Sequence, residues 1–177
     1  MHHMVFRALQ RRDWPMVLGL AHRAFPNLPL EVLSYQLRTQ WRNARVVMGE
    51  HDKVMGFWLA DPNHGAEVAW LEFIAVHPDY KGQRLGQALL EDFEAFAGAR
   101  GLKVLKLAVD ADNSGAIALY ERLGWSKAPS AEVGRFAYQK HIVSTATPQP
   151  LRSPTRVIQL FDRVWFWVMT SFFQSSH

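Results

Sequence analysis

Two short segments of the sequence carry residue types and spacings that could bind a phosphorylated ligand and act on it. The first, residues 81–86, reads KGQRLG and lies between an apolar strand pattern that ends at Val76 and a helical pattern that begins at Leu85. The first N–H groups of a helix have no intrahelical partner, and the helix dipole adds partial positive charge there. The segment therefore predicts an anion site suited to a pyrophosphate.

The residue types in this loop favour the same prediction. Gly82 and Gly86 allow close approach of the backbone to a ligand, and Lys81 and Arg84 add positive charge at the rim. The loop is not a P-loop, because no G-K-[ST] follows, and it lacks the G-x-G-x-x-G spacing of a dinucleotide-binding fingerprint. Because a glycine pair before a helix is also common in plain turns, the loop taken alone leaves both interpretations open.

The second segment follows a buried strand predicted over residues 102–109. Residues 110–114 read DADNS, which is typical of a turn, and Asn113 is a favourable N-cap residue. A short helix with one apolar face then runs to Gly124, a typical helix stop. That face consists of Ala116, Leu119, Tyr120 and Leu123. The pattern places a tyrosine on a short helix close behind the phosphate loop.

Together the two segments resemble the cofactor-binding motifs of the GNAT superfamily, the Gcn5-related N-acetyltransferases. In that superfamily the phosphate loop runs Gln/Arg-x-x-Gly-x-Gly/Ala. Here Lys81 stands at the first position, Arg84 stands at the first motif glycine, and Gly86 is retained. The next motif runs Asn-x-x-Ala-x-x-x-Tyr-x-x-x-Gly-Phe, and its counterparts here are Asn113, Ala116, Tyr120, Gly124 and Trp125. The resemblance covers roughly residues 5–141.

The resemblance implies an acetyl-CoA-dependent N-acetyltransferase. Such an enzyme moves an acetyl group to a primary amine of a small molecule, peptide or protein by direct attack in a ternary complex. The cofactor-binding residues that it implies are Ile74, Ala75, Val76, Lys81, Gly82, Gln83, Arg84, Leu85, Gly86, Gln87, Asn113, Ala116 and Tyr120. Main-chain groups of residues 74–76 would accompany the pantetheine arm. An alternative stays open: a catalytically weak acyl-CoA-binding sensor or interaction module.

Acetyl transfer needs a proton donor for the leaving thiolate, and the resemblance assigns this role to Tyr120. The alternative interpretation is a core aromatic residue with a hydrogen-bonded hydroxyl. For Asn113, a contact near the pantetheine arm and simple helix capping are both compatible with the sequence.

A neutral amine is also required, although a lysine-like amine has a pKa of about 10.4, so a general base is expected. We predict Glu72, because it is the only carboxylate in the otherwise apolar stretch from Leu71 to Val76. Strand alternation would place Glu72 on one face with Trp70 and Ile74. A solvated or salt-bridged Glu72 fits equally well, Glu67 and Asp110 are weaker alternatives, and a base-free route is a further one.

Aromatic residues indicate where the acceptor would bind. The first two helices usually shape this pocket in the superfamily, and the predicted acceptor residues are Phe25, Tyr35 and Trp70, with Trp58 nearby. Such a pocket suits an amine with a hydrophobic body or a peptide N-terminus, although each aromatic residue could instead belong to the core. Superfamily members that acetylate ribosomal-protein N-termini typically carry a catalytic glutamate on the strand that here reads LAV over residues 107–109, so that activity is not inferred.

The elements that must position these residues follow from periodicity and turn signals. The predicted order is β-α-α-β-β-β-α-β-α-β, with room for another strand after Gly124. This is an α/β protein with a mixed central sheet flanked by helices, the GNAT acyl-CoA N-acyltransferase fold. Strands are predicted over residues 5–9, 45–48, 54–60, 66–76, 102–109 and 135–143, and helices begin near residues 13, 29, 85 and 114.

Length and composition exclude several other classes. The chain has 177 residues, of which 49% are hydrophobic and 20% charged, as in one globular domain. The absence of cysteine excludes disulfides, thiolate catalysis and cysteine-ligated zinc, and we expect no metal. A net charge of +4 suits an anionic cofactor, and without a basic run interleaved with aromatics we expect no nucleic acid partner. Residues 1–4 resemble neither a signal nor a transit peptide, which favours a cytoplasmic location.

The C-terminal region is predicted to be organised separately. Residues 1–143 would form the acetyltransferase domain, residues 144–154 a Pro/Ser/Thr linker, and residues 155–177 an extra amphipathic, aromatic helix. Asp162 and Arg163 interrupt the apolar run, which leaves it short of the ~20 residues of a bilayer span. Three alternatives stay open for this helix: docking onto its own domain or a second subunit as a homodimer, peripheral membrane contact, and a partner protein.

Overall fold

The computed structural model describes residues 4–62, 67–130 and 132–143, and the predicted linker and C-terminal helix lie outside these residues. Within them the strands are β1 (Val5–Ala8), β2 (Ala44–Met48), β3 (Val54–Asp61), β4 (Val68–Val76), β5 (Val104–Asp110), β6 (Ser126–Ala128) and β7 (Arg135–His141). The α-helices are α1 (Trp14–Ala24), α2 (Leu30–Gln40), α3 (Leu85–Gly98) and α4 (Ser114–Arg122). The predicted order of elements is confirmed, including a strand after Gly124.

The strands form one mixed sheet in the order β1-β2-β3-β4-β5-β7-β6. All neighbouring strands pair antiparallel except β4 and β5, which pair in parallel. A parallel pair needs a crossover connection, and α3 supplies it between β4 and β5. Among the described residues, no helix combines the length and the apolar character needed to cross a membrane.

The helices cover the two faces of this sheet with separate cores. The α3 and α4 helices pack on one face, where the most buried residues include Leu85, Leu89, Phe93, Leu105, Leu107 and Tyr138. The α1 and α2 helices pack on the other face over β1 to β4, where the core includes Val17, Leu20, Leu33, Leu37, Val46 and Phe57. The apolar residues of each helix recur at helical spacing, so each helix presents a single stripe to the sheet.

A β-bulge interrupts β4 at Glu72. On β3 the consecutive residues Leu59 and Ala60 pair with Phe73 and Leu71, respectively, so Glu72 is an extra residue in β4. The bulge exchanges the faces of the strand: Leu71 lies in the core under α3 and α4, whereas Phe73 lies in the core under α1 and α2.

This bulge corrects the expectation that Glu72 shares one face with both Trp70 and Ile74. Ile74 packs against the core under α3 and α4, the same core that holds Leu71. Trp70 neighbours Leu71 along the strand and therefore points to the opposite face. Simple alternation fails because the extra residue shifts the period of the strand by one.

The parallel pairing of β4 with β5 ends next to the bulge at Glu72. The ladder runs from Val68–Val104 to Leu71–Leu107 and stops, although β4 continues to Val76 and β5 to Asp110. The backbone edge of β4 that faces β5 is therefore not paired with β5 over the last five residues of β4. Such an edge offers N–H and C=O groups to a ligand.

The close approach of β3 to β4 gives a stability prediction. A Cβ atom on Gly56 would lie 2.9 Å from the carbonyl oxygen of Ala75 and 3.0 Å from Leu89 Cδ1. We expect Gly56→Ala to lower the free energy of unfolding by about 1–3 kcal/mol through overpacking, measured by urea denaturation. As a control, Gly19 in α1 has no heavy atom of the described residues within 4 Å of its Cβ position. Gly19→Ala should raise that free energy by about 0.5–1 kcal/mol, and equal stabilities of the two variants would contradict the close approach.

Candidate active site

The gap between β4 and β5 opens into a cleft of about 1500 Å³. Its walls are the second half of β4, the end of β5, the start of α3, α4, and the segment from the end of α1 to α2. Each of these elements carries residues that were predicted to be functional. The fold therefore brings the phosphate loop, the tyrosine motif and the acceptor helices to one cavity.

The phosphate loop forms one end of the cleft at the N-terminus of α3. The cleft is lined there by Lys81, Gly82, Arg84, Leu85, Gly86 and Gln87. The residue at the N-cap, Arg84, makes no side-chain cap hydrogen bond, and among the described residues no acidic side chain lies in the first turn. The first N–H groups of α3 are therefore available to an anion. A Cβ atom on Gly86 would lie 3.3 Å from Leu119 Cδ2, so glycine leaves space between α3 and α4.

Arg84 adopts the left-handed conformation, with φ 60° and ψ 13°. This explains why the superfamily motif has glycine at that position, since a non-glycine residue there costs roughly 1–2 kcal/mol. The departure at Arg84 therefore preserves the backbone path of the loop and adds a positive charge. Gly82, two residues earlier, also has a positive φ of 76°.

Gln83, which is predicted to contact the cofactor, bonds through its side chain to the preceding turn. Its side chain is exposed and its Nε2 donates a hydrogen bond to the backbone oxygen of Asp79 at 3.3 Å. Gln83 is not among the residues that line the cleft. This side chain therefore bonds within the turn before α3, and a cofactor contact of Gln83 stays a prediction.

A buried histidine, which sequence reasoning missed, anchors the phosphate loop to the rest of the domain. His77 is 9% exposed, its Nδ1 accepts a hydrogen bond from the Asp79 N–H at 3.3 Å, and Arg23 Nη1 lies 3.4 Å from its Nε2. Burial lowers the pKa of His77. Asp79 in turn pairs with Lys53 at 3.0 Å. The HPD sequence after β4 could have indicated His77, but nothing local in α1 points to Arg23.

Tyr120, on α4, is a buried residue of the cleft lining. It is 5% exposed and packs against Trp125 and Tyr138, with ring centroids 6.1 and 5.9 Å away. Among the described residues its hydroxyl has no hydrogen-bond partner, whereas the Tyr138 hydroxyl donates to Glu121 at 2.8 Å. Burial raises the pKa of Tyr120 to about 12, and the charge of Arg135 partly opposes the shift. The phenol is therefore protonated at neutral pH and ready to donate.

The remaining predicted cofactor residues also line the cleft. Ile74, Ala75 and Val76 lie on the part of β4 that β5 leaves unpaired, and Ala116 lies on α4. The Asn113 side-chain oxygen accepts a hydrogen bond from the Ala116 N–H at 3.2 Å and so caps α4. Capping, one of the two interpretations of Asn113, is thus observed, and the residue lines the cleft as well.

Glu72 lines the cleft at the bulge, at the point where β4 and β5 separate. The two weaker candidates for the base are placed differently. Glu67 does not line the cleft and pairs with Lys103 at 2.6 Å. Asp110 lines it but pairs with Arg135 at 3.2 Å. Position therefore separates Glu67, which lies outside the lining, from Glu72 and Asp110, which both line the cleft.

The expected aromatic acceptor pocket is only partly present. Phe25 and Trp70 line the cleft, as predicted. Tyr35 is 43% exposed and does not line it, which corrects that prediction. Trp58 is fully buried and donates from Nε1 to Asp92 at 2.8 Å, so it belongs to the core.

A polar wall on α2 takes the place of the missing aromatic residues. Because successive helix residues are rotated by about 100°, the residue after Tyr35 points to a different side. The residues of α2 and the turn after it that line the cleft are Gln36, Thr39, Gln40 and Asn43. Sequence reasoning missed them because it followed the aromatic residues and the apolar stripe of α2.

The left-handed conformation of Arg84 predicts a difference between two variants. Arg84→Gly relieves the backbone cost, and Arg84→Ala retains it. Glycine also raises the entropy of the unfolded chain, which reduces this gain. We therefore expect the Arg84→Gly variant to be more stable than the Arg84→Ala variant by about 0.5–1 kcal/mol in urea denaturation. Both lose the charge, so both should bind coenzyme A about two- to fivefold more weakly at low salt in calorimetric titrations. Equal stability of the two variants would contradict the strain.

Comparison with known proteins places this cleft in a family. Residues 7–125 match the family model described as "Acetyltransferase (GNAT) family". The [ribosomal protein bS18]-alanine N-acetyltransferase of Escherichia coli is 53% identical over 55 residues, which cover 31% of this chain and 37% of that protein. An uncharacterised N-acetyltransferase of Methanocaldococcus jannaschii is 36% identical over 80 residues, 42% of this chain and 35% of that protein. The matches thus span about a third of the length of these curated relatives.

Solved structures show the same fold. The crystal structure of the ribosomal-protein-S18-alanine N-acetyltransferase from Escherichia coli is similar with a TM-score of 0.65 and 27% identity, covering 85% of this chain and 99% of that one. The Thermoplasma acidophilum PaiA N-acetyltransferase in complex with coenzyme A has a TM-score of 0.65 at 16% identity, covering 79% of this chain and 99% of that one. The match of the family model covers well over half of this chain and includes both the phosphate loop and the tyrosine motif. The chain belongs to the GNAT family of acetyltransferases.

Proposed function

We propose that this protein is an acetyl-CoA-dependent N-acetyltransferase that acetylates a primary amine by direct attack in a ternary complex. One observation carries the proposal: the buried hydroxyl of Tyr120, which has no hydrogen-bond partner among the described residues, lies in the same cleft as the N-terminus of α3, where no side chain caps the helix. A phosphate cradle and a proton donor are the two groups that transfer from a coenzyme A thioester needs. A module that only binds acyl-CoA would not need the proton donor.

The lining of the cleft fits coenzyme A. The N–H groups at the start of α3, with Lys81 and Arg84 at the rim, would hold the pyrophosphate. The unpaired edge of β4, residues 72–76, would hydrogen-bond the pantetheine arm, with Asn113 and Ala116 on the opposite side. When bound, acetyl-CoA supplies an acetyl thioester whose leaving group is a thiolate.

The residues of this chain would then handle two protons. Glu72 accepts one from the acceptor ammonium, directly or through a water molecule, so that the amine becomes nucleophilic. Tyr120 donates its phenolic proton to the departing sulfur as the new C–N bond replaces the C–S bond. The attacking nitrogen releases its second proton as the amide forms, and this proton returns to the Tyr120 phenolate through solvent. A backbone N–H on the edge of β4 that β5 does not pair with would stabilise the charge on the carbonyl oxygen.

The acceptor is a primary amine, and peptide N-termini belong to the proposed range. The names of two similar proteins support this range: one acts on the alanine of ribosomal protein bS18, and another was solved as the NatC complex bound to Gag peptide and CoA. We do not extend the bS18 substrate to this chain. The strand position where those enzymes are expected to carry a catalytic glutamate is occupied here by Ala108.

A cytoplasmic location and a separate role for residues 155–177 are part of the same proposal. The alternatives for that segment are contact with its own domain or a second copy, with a membrane surface, or with a partner protein. Comparison of the full chain with residues 1–143 by sedimentation and by binding to anionic vesicles would distinguish them.

We expect Tyr120→Phe to reduce kcat by about 10²–10⁴-fold and to leave the KM for acetyl-CoA nearly unchanged, measured as thiol release with a saturating amine. The hydroxyl would act on the leaving thiolate and contributes little to binding. Tyr138→Phe is the matched control, because its hydroxyl is bonded to Glu121. That variant should keep kcat and lose about 0.5–1.5 kcal/mol of stability. Equal kcat values in the two variants would contradict the role of Tyr120.

The pH dependence should distinguish the acid from the base. Because the pKa of Tyr120 is raised to about 12, the phenol keeps its proton below that pH. The kcat/KM should therefore rise with pH until the acceptor amine is neutral, near about pH 10 for a lysine-like amine, without an alkaline fall below it. Glu72→Gln should be most impaired at neutral pH and approach the wild type at high pH. A constant ratio between the two enzymes across this range would contradict a base role for Glu72.

A further inference from the structure

Two glutamine side chains on α2 line the cleft, and the Oε1 atom of each has no hydrogen-bond partner among the described residues. Gln36 is only 3% exposed, it lines the cleft, and its Oε1 is enclosed with no partner among the described residues. Gln40 also lines the cleft, and its Oε1 is likewise enclosed and unpartnered. An enclosed polar atom without a partner destabilises a folded protein. Two carboxamide oxygens without partners, on side chains that line a cavity, therefore point to a ligand that pairs with these side chains.

The chemistry of a carboxamide indicates what that ligand carries. Each glutamine offers one carbonyl acceptor and two N–H donors, which is the complement of a peptide group. Gln36 and Gln40 are four residues apart on α2, so they are separated by about 6 Å along the helix axis. On an extended peptide, groups that point to the same side recur at about 6.6–6.8 Å. The two carboxamides thus match alternate peptide groups of an extended chain.

The remaining surfaces of this half of the cleft fit the N-terminus of such a chain. Two carboxylates, Asp61 and Glu72, line it together with Trp70. Asp110 and Glu132 also line the cleft, and they pair with Arg135 at 3.2 and 2.8 Å. Arg23 and Arg122 line the cleft as well, so an ammonium ion would be received by individual carboxylates and not by an excess of negative charge.

We propose that the acceptor is an extended peptide whose N-terminal amine lies near Glu72 and whose first peptide groups pair with the carboxamides of Gln36 and Gln40. This inference rests on the proposed N-acetyltransferase function and adds the class of acceptor. A monoamine without peptide groups would leave both carboxamides unpaired and would bind more weakly.

The first test replaces Gln36 with methionine, which has a similar length and no amide. We expect the KM for Ala-Ala-Ala-amide to rise about three- to tenfold, the loss of roughly one hydrogen bond, and the KM for acetyl-CoA to stay unchanged. The thermal midpoint should stay level or rise, because an enclosed, unpartnered oxygen is removed. A glutamine kept only for folding would give a lower midpoint and an unchanged KM, and this result would overturn the proposal.

Two further variants control this experiment. Gln40→Met should raise the KM for the peptide by a similar factor and supplies a second reading if Gln36→Met folds poorly. Gln139→Met, on β7 and outside the lining of the cleft, should change neither KM. An equal rise in the KM for the peptide in Gln139→Met would contradict a specific subsite on α2.

The second test changes the peptide instead of the protein. Ala-Ala-Ala-amide is compared with the same peptide N-methylated at one peptide nitrogen at a time, by turnover and by calorimetric binding in the presence of coenzyme A. At one position, methylation should weaken binding to the wild type and have a much smaller effect on Gln36→Met, as expected for a direct contact. Equal penalties in both proteins at every position would overturn the proposal.

The outcomes separate this inference from the proposed function. If a monoamine such as heptylamine is acetylated as efficiently as the peptide, the peptide class is wrong and the transferase stands. If the peptide binds in a manner that depends on Gln36 but no amine releases thiol from acetyl-CoA, the subsite stands and the proposed activity is wrong.

Discussion

The cleft depends on one irregularity in the sheet, the bulge at Glu72. A regular parallel ladder would pair β4 with β5 to their ends and leave no opening between them. The extra residue reverses the faces to which the following side chains of β4 point. Pairing with β5 stops at Leu71. One inserted residue therefore produces an unpaired backbone edge, the entrance of the cleft, and the position of a carboxylate at that entrance.

Around this opening, the site uses groups that are costly to the folded state. Arg84 adopts a backbone conformation that favours glycine, and Tyr120 is buried with a hydroxyl that has no partner among the described residues. The Oε1 atom of Gln36 is likewise enclosed and has no hydrogen-bond partner among the described residues. Functional sites commonly hold such unsatisfied or strained groups, because a ligand can then supply what the protein lacks. The stability needed to hold them comes from two well-packed cores, one on each face of the sheet.

The polarity of the cleft differs between its ends, which suits two substrates that bind side by side. The phosphate end offers N–H groups and the positive charges of Lys81 and Arg84, and the acceptor end offers carboxylates and carboxamides. Tyr120 lines the same cleft, and burial raises its pKa to about 12, so the phenol is protonated. The separation of charge would orient an anionic thioester and a cationic amine so that their reacting groups meet near this residue.

The sequence by itself determined the order of strands and helices, the phosphate loop, and the motif that carries Tyr120, because these depend on local periodicity and on residues close together in the chain. Only the tertiary structure decided which face each residue of β4 occupies and which side of α2 lines the cleft. A bulge is set by pairing with a neighbouring strand, and strict alternation therefore misplaced Ile74. The exposure of Tyr35 and the enclosure of Gln36 depend on how α2 is rotated over the sheet, which its own sequence pattern does not resolve.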